Sequence, residues 1–143
     1  MTKAAFMTAG VLINIDVDDL DRAVAFYTAA FGLKVGRRFG AAAVELTGGA
    51  APIYLLCKAG GTVANPASDE RRRYARHWTP VHLDFVVPDL DAAVEVAVAA
   101  GAKLEEQPAT HAWGKIAPLA DPFGHGLCLI EFVGRGYDEI ATR

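Results

Sequence analysis

The segment VLINIDVDDLDRAV, Val11 to Val24, returns as VHLDFVVPDLDAAV, Val81 to Val94. Val17 corresponds to Val87, Asp19 to Asp89, Leu20 to Leu90, Asp21 to Asp91, Ala23 to Ala93 and Val24 to Val94. One structural unit is therefore used twice, and any fold for this chain must accommodate two copies of it. In each copy an alternating run enters a helix through an aspartate placed to cap it.

In the first copy Ile13, Ile15 and Val17 share one strand face, and Leu12, Asn14 and Asp16 the other. The first face is core; the second, mixed face suits a strand that lines a cavity. Asp19 sits at the N-cap and Asp21 in the first turn, where a carboxylate complements the helix dipole. Leu20, Ala23, Val24, Tyr27 and Phe31 then form an apolar stripe that Gly32 terminates. Three strands follow, over Leu33 to Phe39, Ala41 to Thr47 and Pro52 to Lys58.

The second copy repeats this order with a strand over Val81 to Val87 and a helix capped by Asp89 and closed by Gly101. Strands over Lys103 to Thr110, Lys115 to Ala120 and Gly126 to Val133 complete it, the last two joined by the turn Asp121-Pro122-Phe123-Gly124. The fold class is thus α+β, two tandem βαβββ modules in a single domain. Module one covers about residues 10–58, a linker 59–79, module two 80–133 and a surface tail 134–143. Within the linker, RRYARHW can form a short helical turn.

The chain has 143 residues, 52% of them hydrophobic and 22% charged, enough for one packed core. A net charge of −3 gives no reason to expect a nucleic-acid partner. Arg71, Arg72 and Arg73 follow Asp69 and Glu70, and read as a solvated linker. The apolar stretch from Ala4 to Ile15 behind Lys3 is interrupted by Asn14 and merges into the repeat, so it reads as the first strand rather than a leader. No apolar run is long enough to span a bilayer. Cys57 and Cys128 lie in apolar, strand-like runs and read as free, buried thiols in a reducing cytoplasm.

The doubled unit, with its helix opening VDDLDRAVAFYTAAFG and its last hairpin LADPFGHGLCLIEF, resembles the vicinal oxygen chelate superfamily of glyoxalase I, bleomycin-resistance proteins and extradiol dioxygenases. The resemblance implies a half-open mixed β-barrel with helices outside, and a homodimer whose ligand crevices form between two chains. It also implies metal-ligand positions on the first and last strands of each module. Here these fall on Leu12, Tyr54, His82 and Cys128, and only His82 keeps a usual family ligand. Leu12 has no donor, so the expectation is no metal and no cofactor.

Other chemistry is sought on the cavity faces. His82 and Asp84, two residues apart, point into the same cavity as ligand contacts, an acid–base pair, a remnant metal site, or simply a satisfied polar core. Asn14 and Asp16 occupy the matching face of the first copy and would make a cavity mouth short of positive charge. Tyr54 and Trp113 offer rings to a planar ligand, and Trp78 reads as a lid or interface residue. Cys128 is inert packing or, with His82 as base, a reactive thiol; His111 and His125 read as surface turn residues. The expected function is metal-independent binding of a small planar or cationic molecule, with Asn14, Asp16, Tyr54, His82, Asp84, Trp113 and Cys128 as its contacts. The alternative is a glyoxalase-like lyase or isomerase with a non-standard metal site or with acid–base chemistry at His82 and Asp84. Extradiol dioxygenase activity is the least favoured enzyme, since its iron needs two histidines and a carboxylate. A pure interaction module would have a filled barrel instead.

Overall fold

A computed structural model describes residues 7–142; the part of the apolar stretch before Met7, and Arg143, lie outside these. The first module runs β1 (Ile13–Val17), α1 (Leu20–Phe31), β2 (Lys34–Phe39), β3 (Ala43–Thr47) and β4 (Ile53–Cys57). The second runs β5 (Leu83–Val86), α2 (Leu90–Ala100), β6 (Lys103–Leu104), β7 (Ala109–His111), β8 (Gly114–Ala120) and β9 (Gly126–Phe132).

Both helices start as their caps dictate. Asp19 Oδ1 accepts the Arg22 N–H at 3.0 Å, and Asp89 Oδ1 accepts the Ala92 N–H at 3.2 Å. Glu131 on β9 adds a second cap to α2 by accepting the Leu90 N–H at 2.7 Å. Gly32 ends α1 at φ 67°, a left-handed conformation that a side chain would strain.

The strands form two mixed sheets, ordered β1-β4-β3-β2 and β5-β9-β8-β6, with β7 also on β8. In each, the first strand pairs in parallel with the last and the other pairings are antiparallel. The registers are equivalent, Ile15 facing Leu55 and Phe85 facing Leu129. Among the described residues the sheets do not close into a barrel, so the half-open arrangement takes the form of two separate sheets.

The helices pack on each other and on one face of each sheet. Val17, Phe26, Tyr27, Leu55, Leu90 and Leu129 fill the shared core, where each leucine contributes about 1.5–3 kcal/mol by its burial. Phe31 of α1 stacks on Phe85 of β5, ring centroids 3.9 Å apart, and so joins the two modules. This packing leaves the opposite, cavity-side faces of the sheets free for chemistry.

Three local expectations change. The strand expected over Lys103 to Thr110 is split, because residues 105–108 sit opposite only Ala117 and Pro118 and bulge from the ladder, and Pro108 has no N–H to donate. The linker segment RRYARHW is extended rather than helical, tied down by bridges from Val63 to Arg71 and from His77 to His125. The tail contains a 3-10 turn, Gly136–Glu139, that sets Tyr137 against Trp113 and Phe132.

Candidate functional site

Strands β1 and β5 are the outermost strands of their sheets, and between them lies a crevice of about 330 Å³. Ile13, Ile15, Leu83 and Leu127 give it an apolar floor, and Asn14, His77, His82 and His125 a polar rim. A wall of this kind takes up an organic molecule and orients it by a few polar contacts.

One end of the crevice is built by an extended chain of polar contacts. His77 Nε2 lies 2.6 Å from His125 Nδ1, and His125 Nε2 lies 2.6 Å from the Asp16 carbonyl oxygen. A carbonyl only accepts, so His125 donates from Nε2; in its neutral form Nδ1 then accepts from His77. Burial, then the nearby His125 and Arg76, lower the pKa of His77 and favour the neutral form of His77 itself. The turn carrying His125 is held by buried Asp121, which accepts N–H groups of Phe123 and His125 and the Tyr27 hydroxyl at 2.5 Å. Burial, together with Asp121, raises the Tyr27 pKa and keeps that hydroxyl protonated as a donor. Thus α1 of one module fixes the turn of the other.

Trp78 closes over the same end. Its ring lies 4.6 Å from that of His82, with the Arg76 guanidinium 5.6 Å from its centroid. A Cβ at position 126 would meet the indole at 1.9 Å, so Gly126 is what lets Trp78 lie there.

The cavity face of the second module gathers His82, Asp84 and Cys128. Asp84 is the register partner of Cys128, and His82 Nε2 is 3.2 Å from Asp84 Oδ1. One donor atom from each of the three lies within 4.8 Å of the others. His82 and Asp84 are about one-third exposed, whereas Cys128 is buried. Burial first, then the charge and hydrogen bonding of Asp84, push the Cys128 thiol up to about 11. It is therefore a thiol at neutral pH, which argues against a free nucleophilic thiolate.

The first module's cavity face is different. Tyr54 donates to Glu45 Oε2 at 2.8 Å and accepts from Arg37 Nη2 at 3.0 Å, while Arg37 makes a two-pronged pair with Glu45. Arg37 holds the Glu45 carboxyl at about 2. Glu45 owes its enclosure to these two neighbours rather than to depth in the core. Asp16 pairs with Arg72 at 2.7 Å. The expected mouth short of positive charge is thus corrected, because Arg72, expected as a solvated linker residue, neutralises it. Cys57, expected to be buried, is exposed.

At the superfamily's four metal positions the donor set is incomplete. Leu12 offers only carbon and is 64% exposed, and the Tyr54 phenol is committed to Glu45 and Arg37. The first module contributes no ligand, so a metal held between both modules does not fit these residues. Trp113 is not brought to the crevice: it stacks on His111 at 5.3 Å and packs on Phe132 and Tyr137. Sequence reasoning missed the pairing of His77 with His125, whose one signal is that each stands ahead of a strand of the second module, His77 in the linker before β5 and His125 after the DPFG turn before β9.

A sequence model of the glyoxalase-like domain matches residues 12–130. The same fold occurs in a glyoxalase/bleomycin resistance protein/dioxygenase family enzyme from Burkholderia phytofirmans PsJN, with a TM-score of 0.66 and 22% identity over 85% of this chain and 97% of that one. A glyoxalase/bleomycin resistance protein/dioxygenase from Nocardioides matches with a TM-score of 0.62 and 18% identity, over 94% and 92% of the two chains. A lactoylglutathione lyase from Agrobacterium tumefaciens matches with 0.61 and 20%, over 87% and 94%. Identities this low carry the fold alone, and no curated protein matches. Because the sequence match spans both modules, the chain belongs to the glyoxalase-like domain family of the vicinal oxygen chelate superfamily.

Proposed function

We propose that this protein binds a small organic molecule in the crevice between β1 and β5, without a metal bridging the two modules. The observation that carries this is the crevice itself, about 330 Å³ with an apolar floor and a rim of Asn14, His77, His82 and His125. The imidazole rings of the rim offer flat faces to a planar compound, and Asp84, 3.2 Å from the rim residue His82, is a carboxylate that would attract a cationic one. A second copy of the chain would cover apolar groups beside the cavity faces, Leu12 and Val86, which are 64% and 61% exposed. No helix among the described residues is long and apolar enough to cross a membrane, and two free cysteines fit a reducing compartment.

The test is an amide-resolved NMR screen with planar and cationic fragments. Binders should shift Asn14, His82 and Gly126 and leave Trp113 unmoved. Binders that gather instead at a second groove, lined by Phe132, Arg135 and Tyr137, or a library without binders, would overturn the reading.

An enzymatic reading, a lyase or isomerase, is favoured by the 3.2 Å contact of His82 with Asp84, since the carboxylate orients the imidazole to move a proton. Its signature would be turnover of S-lactoylglutathione that Asp84→Asn slows, with an altered pH profile.

A further inference from the structure

We propose that His82, Asp84 and Cys128 form a site for one divalent cation of the zinc class, built wholly within the second module. The site differs from the superfamily arrangement, which draws ligands from both modules and has no place for Asp84. The expectation of no cofactor rested on those four positions, with a non-standard metal site as the alternative. The strand register adds a donor off that set, because Asp84 stands opposite Cys128 on adjacent strands, and His82 precedes Asp84 by the two residues that keep both on one face.

Three features fit an ion. The donors are imidazole nitrogen, carboxylate oxygen and thiol sulfur, all within 4.8 Å of one another. A set containing sulfur and imidazole selects zinc-like ions over magnesium or calcium, which take oxygen ligands. Three protein ligands also leave a coordination position open, and His82 and Asp84 are partly exposed, so that an ion can reach the cluster. The donors are held in place as well: Cys128 sits in β9 between β5 and β8, and the Trp78 ring lies 4.6 Å from the His82 ring. The inference is independent of the organic-ligand reading, since the crevice exists with or without the ion.

Coordination requires the thiolate, so binding an ion releases the Cys128 proton to solvent. Apparent affinity should accordingly rise with pH.

The experiment uses the full, tag-free chain stripped with chelator and titrated with Co(II) as the probe, followed by competition with Zn(II). The expected result is one Co(II) per chain, a near-ultraviolet thiolate-to-cobalt band, and displacement by Zn(II). Cys57→Ser should keep the band and Cys128→Ser should abolish it. Asp84→Asn and His82→Gln should each weaken binding by at least about tenfold. Because His82 and Asp84 are partly exposed, these two variants decide the question even if Cys128→Ser does not fold. Binding without the band, a band that follows Cys57, or no saturable binding would each overturn the proposal.

Discussion

By strand register the first module's equivalents of His82, Asp84 and Cys128 are Leu12, Asn14 and Tyr54, since Asn14 faces Tyr54 as Asp84 faces Cys128. One trio is an exposed leucine, an amide and a phenol tied to Glu45 and Arg37; the other is three donors within reach of a single ion. On the core side the two modules remain alike, with Leu55 and Leu129 both fully buried at matching positions. Duplication fixed the packing faces because they share one core, whereas the cavity faces, free of that constraint, diverged. The first module ties its phenol and Glu45 to an arginine, whereas the second sets its three donors against one another.

This contrast can be broken in order of size. Leu55→Ala and Leu129→Ala should each cost about 2–5 kcal/mol in denaturant unfolding, in one shared transition. Two separate transitions would show that the modules do not share a core. A subtler difference should appear in acid. The fold holds Glu45 at about 2 against an ordinary 4.5, so the stability its network adds is present above about pH 4.5 and is lost as pH falls toward 2. Unfolding of Glu45→Gln should depend less on pH across that window than unfolding of the parent protein, and an unchanged slope would mean the network is not structural. The smallest effect belongs to the second module: His82→Gln and Asp84→Asn should change stability by no more than about 0.5 kcal/mol, because both side chains are partly exposed. A larger loss would make the cluster a structural element.

What the sequence disclosed follows from period and caps. Alternation put His82 beside Asp84 and Asn14 beside Asp16, and the aspartates at 19 and 89 marked both helix starts before any contact was known. The arginine partners of Asp16 and Glu45 were hidden for a physical reason. Arg72 reaches Asp16 from the far end of the linker, and Arg37 reaches Glu45 across a hairpin whose register slips between Val35 and Arg38. His77 and His125 likewise meet only because two loops converge on β1. Trp113 had no visible packing partner in sequence, because its neighbour Tyr137 belongs to a tail with no periodic pattern.

The division of labour between the cavity faces is tested most directly by amide NMR of the intact chain titrated with Zn(II). Saturable shifts are expected along β5 and β9, centred on Asp84 and Cys128, with Glu45 and Tyr54 unmoved. Shifts centred on Glu45 and Tyr54, or no saturable shift at all, would contradict it.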